Sequence, residues 1–220
     1  MAEKQRKKVV RIREIPDLPP VEDLRESQAE SLFSGELIDE SRIANADVSG
    51  RKIYSLDARF TVMESVSFAG SEMMSAHLRD VRFVKCDFSN ASLRGSQSSR
   101  VEFVDCKLTG LIAIECSWQD VLLENCEGRY AQFTDSRMQV CEWKGGAFAE
   151  ADFRGCNLED SIFEQVSLSR ADMTGARLWN ASLRGADIEG LSVMAEDVRG
   201  AIVSPAQAMD LARLLGLVVK

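Results

Sequence analysis

The sequence has a single histidine, His77, and no Cys-x-x-Cys pair, which leaves no familiar spacing of metal ligands. It also lacks a phosphate-binding loop, a zinc motif and a nucleophile elbow. His77 falls at an outward position, where a lone histidine is an ordinary surface residue. Catalytic residues, metal ions and cofactors are therefore not expected. No apolar run approaches the roughly 18 residues that a membrane span needs. Residues 1–14 are basic but have no apolar core segment, so a secretory signal is not expected.

What the chain does have is a clock of five. Cys86, Cys106, Cys116, Cys126, Cys141 and Cys156 all fall on the same step of it. Two places after such positions stand large apolar residues, among them Phe88, Leu108, Trp118, Trp143, Phe153 and Phe163. Pentads cut from Ser31 to Pro205 number 35 without insertion or deletion, and the third residue is apolar in 33; Ser98 and Gly128 are the exceptions. A helix repeats every 3.6 residues and a strand every two. A period of five needs a chain that turns a corner once per pentad, and four corners close a coil of about 20 residues. Coils stacked at ~4.8 Å form a parallel β-solenoid.

These pentads, with Ala/Cys/Ser first, often a polar second residue and Leu/Phe third, resemble the pentapeptide repeat family. Good copies are Ala91-Ser92-Leu93-Arg94-Gly95 and Ala151-Asp152-Phe153-Arg154-Gly155. The resemblance implies an all-β fold: a right-handed quadrilateral parallel β-helix with short capping helices at both ends. The expected organisation is a basic flexible tail over 1–18, an N-terminal cap over 19–30, the β-helix over 31–205, and a C-terminal capping and dimerisation helix with its tail over 206–220.

Residues 20 apart should stack, so core volume should balance along columns and within coils. Trp118 is expected to use the room left by Ala113 and Gly128, and Trp143 that left by Gly146. The cysteines then read as small buried apolar residues, exchangeable with Ala, Ser and Val. Free thiols in a core fit a reducing compartment, and a cytoplasmic location is expected.

At the C-terminus, Ser204, Pro205 and Gln207 read as an N-cap, a first helical residue and a capping box. The helix after them carries more apolar residues than one cap face needs. Met209, Leu211, Leu214, Leu215, Leu217, Val218 and Val219 are expected to join two copies in a homodimer. This ending also resembles the terminal helix of pentapeptide proteins that protect topoisomerases from quinolones and other poisons. In those proteins an acidic rod of duplex-like width occupies the DNA groove of gyrase.

Charge bears on that implication. The net charge is −8; residues 1–14 carry +4, which leaves −12 on the body. Duplex DNA would carry ~25 charges over the ~42 Å of the expected rod, so any mimicry is dilute. Direct nucleic-acid and membrane binding are not expected, and the basic tail reads as solvated. The expected partner is a protein, a type II topoisomerase reached through acidic faces marked by Asp47, Asp87 and Asp187. The alternative is a scaffold that binds through an apolar face containing Ile112, Leu122 and Trp179.

Overall fold

The computed structural model describes residues 11–54 and 56–218. The strands are β1 (Arg25–Glu26), β2 (Ile38–Asp39), β3 (Ser41–Ala44), β4 (Asp57–Glu64), β5 (His77–Val84), β6 (Gln97–Val104), β7 (Ser117–Gln119), β8 (Leu122–Glu124), β9 (Arg137–Gln139), β10 (Glu142–Lys144) and β11 (Ile162–Glu164). One helix, α1 (Pro205–Leu214), follows them. Pairing is parallel, and from β2 onward each residue meets the one 20 places later: Asp57 pairs with His77, His77 with Gln97, and Trp143 with Phe163. Single bridges carry the same register around the other two faces and up to Ser182 and Ile202. The result is a β-solenoid with four pentads to the turn.

The corners explain the period. Left-handed backbone, φ between 42° and 84°, recurs at every fifth residue from Gly35 to Gly190, wherever the chain is described, and again at Gly200. Many of these residues are not glycine, and at several corners a side chain braces the turn. A second-place Asp or Asn accepts a hydrogen bond from the N–H two residues on, across the turn. Asp47 accepts from Ser49 at 2.9 Å, Asp87 from Ser89 at 2.9 Å, Asn157 from Glu159 at 3.1 Å and Asp187 from Glu189 at 3.1 Å. The recurrent second-place carboxylates are thus Asx turns that hold the corner.

The interior is filled by columns of large side chains, one column for each face, stacked at the register of 20. Phe68 lies on Phe88 at 4.7 Å, Phe83 on Phe103 at 5.0 Å, Phe133 on Phe153 at 4.9 Å and Trp143 on Phe163 at 4.4 Å between ring centres. Large and small residues do offset each other in the interior, but in pairs other than those the sequence predicts. A Cβ on Gly128 would strike the ring of Phe148 one turn above, so Gly128 makes room for Phe148. Trp118 stands over Ser98 in the ladder and donates its indole N–H to the Ser96 hydroxyl at 3.1 Å. Gly146 has φ +80 away from the regular corners, and a Cβ there would strike the backbone of Cys126, so its reason is the main chain rather than Trp143. All six cysteines are free and buried.

The N-terminal cap is not an α-helix. It consists of two 3₁₀ turns, Val21–Asp23 and Ala29–Phe33, with β1 between them. β1 pairs with β3 at an offset of 16, so the first turn is shorter than the rest. At the other end α1 has the expected capping box. Ser204 Oγ accepts from the Gln207 N–H, and Gln207 Oε1 accepts from the Ser204 N–H. Gln207 also donates through Nε2 to the carbonyls of Leu183 at 2.6 Å and Ala186 at 2.9 Å, closing the last turn. Gly216 and Leu217 donate back to Arg213 and Ala212, which ends the helix in a Schellman motif.

Candidate interaction surfaces

The four faces separate the residues singled out from sequence. Asp47, Asp87 and Asp187 share one face, on the ladder Asp47, Ser67, Asp87, Lys107, Glu127, Ala147, Ser167, Asp187. Ser49, through its hydroxyl and its N–H, holds the Asp47 carboxyl below the ordinary carboxylate range. Ile112 belongs to the next face, bridged to Ser92 and Gln132. Trp179 is exposed near the C-terminal end and packs against Gly200. Leu122 stands on a third face and is only 6% exposed. The three apolar residues therefore form no common patch, and Leu122 is not available to a partner in this state.

Leu122 is buried although its pentad position is outward, and the N-terminal segment explains why. The basic composition of residues 1–18 predicts a flexible, solvated tail. Residues 1–10 lie outside the described residues, and 11–18 lie along the rod. Arg13 pairs with Glu102 at 3.0 Å and Glu142 at 3.5 Å, the residues one turn below and one turn above Leu122. The Glu14 N–H donates to Asp120 at 3.2 Å and the Asp17 N–H to Asp80 at 3.0 Å. Arg11 reaches Asp160 at 3.8 Å. Asp80 and Asp160 are four turns apart, ~19 Å at the strand spacing. Six extended residues from Arg11 to Asp17 span ~20 Å, so the segment runs up the corner fully extended.

The groove beneath this strap is lined by carboxylates over an apolar floor, and cations of the rod already meet several of them: Arg82 meets Glu102 at 2.8 Å, Lys144 meets Glu142 at 2.7 Å and Arg100 meets Asp80. Asp80, Asp120 and Asp160 mark its corner, Glu102 and Glu142 its face, and Leu122 and Val140 its floor. Val140 is a β-branched residue at φ 55 and is 4% exposed. Arg100 holds both Asp80 oxygens at 2.6 Å and reaches Glu14 at 3.6 Å. Burial would raise the Asp80 carboxyl, but Arg100 and the Asp17 N–H outweigh it and hold that carboxyl below the ordinary range. Beyond Arg11 the groove opens into a cleft of about 520 Å³ lined by Asp160, Ile162, Glu164, Asn180 and Arg184, among others.

At the C-terminal end Met209, Leu214, Leu215, Leu217 and Val218 are exposed, whereas Leu211 is buried against the core. Leu211 therefore drops out of the expected dimer face, and Val219 lies outside the described residues. His77 lines a shallow hollow with Asp57, Arg59 and Arg79. Among the described residues no three His, Cys, Asp or Glu side chains are grouped to hold a metal ion, and no helix is long and apolar enough to cross a membrane.

With corners every five residues and a register of 20, the repeat and the fold agree. Residues 76–140 match the family described as "Pentapeptide repeat region", and residues 151–190 match "Pentapeptide repeats (8 copies)". The chain belongs to the pentapeptide repeat family. No curated protein matches it. Solved structures that resemble this pentapeptide repeat protein include a trypsin-treated form of QnrB1, a plasmid-mediated fluoroquinolone resistance protein. It is 24% identical, with 89% of this chain and 95% of that one covered and a TM-score of 0.41. HetL, involved in heterocyst differentiation regulation in the cyanobacterium Nostoc sp. strain PCC 7120, is 19% identical over 82% and 92% of the two chains, with a TM-score of 0.36. Rfr23 from the cyanobacterium Cyanothece 51142 is 10% identical over 72% and 91%, with a TM-score of 0.23.

Proposed function

We propose that this pentapeptide rod is a non-catalytic, cytoplasmic binding protein that engages a type II topoisomerase, gyrase, and protects it from poisons. It acts as a homodimer joined at the C-terminal ends. The observation that carries the reading is the unbroken face bearing Asp47, Asp87 and Asp187, whose carboxylates the Asx turns fix at corners along the rod. The Gln207-to-Val218 ending, which resembles that of the topoisomerase-protecting members, supports it. So does the exposed apolar end formed by Met209, Leu214, Leu215, Leu217 and Val218, a surface suited to an isologous contact. The alternative, docking through a continuous apolar face, has less support because Ile112, Leu122 and Trp179 lie apart and Leu122 is covered.

The test is gyrase supercoiling with and without a poison, in the presence of this protein. The reading expects inhibition alone, or protection when the poison is present, at micromolar protein. Neither effect at that concentration removes gyrase as the partner.

A further inference from the structure

The acidic corner groove is a built site with an occupant. Carboxylates from five successive turns, Asp80, Glu102, Asp120, Glu142 and Asp160, receive one extended segment, and it presents to them two arginines and two backbone N–H groups. Its recognition chemistry is specific. Arg13 sits 8% exposed between Glu102 and Glu142, which are themselves 7% and 14% exposed. Pro16 is buried at the point where the segment passes Asp80.

The occupant is held loosely by comparison with the rod. The segment joins no strand ladder, and its Glu14 and Asp17 N–H groups bond only to side chains. Ile12 and Ile15 face solvent, 83% and 70% exposed, so they add nothing to the core. Segments with few buried apolar contacts open at low free energy, while the ladders open only near global unfolding. Arg13 Nε is buried 3.5 Å from the Glu142 carboxyl without a hydrogen bond, so that contact is an ion pair alone.

We propose that this groove is a binding site for extended arginine-bearing peptide segments, and that residues 11–17 are its resting occupant, displaced when a partner's Arg-x-Arg segment binds. Charge and spacing select the partner: the groove offers carboxylates at the turn spacing, only partly neutralised by Arg82, Arg100 and Lys144, and a floor of Leu122 and Val140. An occupant tethered in cis competes at an effective concentration in the millimolar range. A free peptide is therefore largely excluded until the strap is weakened. The proposal is independent of the gyrase reading, because it concerns a different face and a basic partner.

The test uses the full chain carrying Arg13→Glu, which turns the strap against Glu102 and Glu142. The probe is a fluorescent peptide of residues 1–18 with the natural sequence, read by anisotropy. The variant is expected to bind the peptide at least tenfold more tightly than the wild-type protein does, with binding weakened by salt. The same peptide carrying Arg13→Glu should not bind. A folded variant that ignores the natural peptide, or takes both peptides alike, overturns the proposal. Amide exchange on the wild-type protein decides the matter if the variant fails to fold. Glu14 and Asp17 amides should exchange at least a hundredfold faster than those of Phe88 and Phe133 in the ladders, and equal rates overturn the exchangeable occupant.

Discussion

Arg13 and Glu102 are 89 residues apart in sequence and 3.0 Å apart in the fold, both nearly withdrawn from solvent. Their pairing converts a basic N-terminus into a strap over an acidic corner. It also reassigns Leu122, whose pentad position points outward, from the surface to the interior.

Asp80 and Arg100 should control acid stability. The Asp80 side chain is fully buried and its carboxyl is held low, chiefly by Arg100 working against burial. A depressed folded pKa stabilises fully above the unfolded value of about 4 and is lost as pH falls through the folded value. The melting temperature should therefore fall below about pH 4, with a shallower fall in Asp80→Asn. Arg100→Ala leaves a buried carboxylate without its main partner and should cost ~3–5 kcal/mol at neutral pH in denaturant unfolding.

Gly128 and Phe148 should behave as one unit of volume. Gly128→Ala places a methyl in the Phe148 ring and should cost ~1–3 kcal/mol. In a Phe148→Leu background the added cost should shrink by half or more, which a double-mutant cycle measures. Phe153→Ala, with its stacked partner Phe133 and its edge-on neighbour Phe163 left in place, should cost ~3–5 kcal/mol without compensation.

The thiols should be silent in the native rod. Burial pushes Cys141 and Cys156 up to about 12, and neither is a thiolate near neutrality. A chromogenic disulfide reagent at pH 8 should titrate fewer than about one thiol per native chain, since only the thiolate reacts. In guanidinium it should titrate all six. Rapid native labelling would contradict the packing role of the cysteines.

The C-terminal face should set the oligomeric state. Leu215→Asp with Val218→Asp should shift a dimer to monomer in sedimentation without lowering the melting temperature by more than a few degrees, because both side chains are exposed. Gln207→Ala should instead destabilise the rod by ~1–3 kcal/mol, because the carbonyls of Leu183 and Ala186 lose their donor.

The coil was legible because a repeat of five leaves few ways to bury one large and one small residue per pentad. Cys86, Phe88 and their equivalents fall where that reasoning places them. What escaped it lies outside the repeat or between its turns. Arg13 belongs to no pentad, so periodicity could not seat it beside Glu102; only its charge, opposite to that of the body, hinted at a docked tail. The coil spacing pairs Gly128 with Trp118, whereas a Cβ on Gly128 would meet Phe148 one register step away. From sequence the second-place aspartates mark an acidic face, yet the N–H groups two residues on, which donate to them, show that they also build the corners. That last point complicates charge mimicry, since one carboxylate serves both turn and charge.

Asparagine separates those two roles, because it keeps the turn acceptor and removes the charge. The most direct measurement is binding of gyrase to the wild-type protein and to the Asp47→Asn, Asp87→Asn, Asp187→Asn triple variant at low and high salt. The account predicts salt-sensitive binding by the wild type, loss of at least tenfold in affinity in the triple variant, and an unchanged melting temperature. Equal binding by both proteins, or no binding by either, would contradict it.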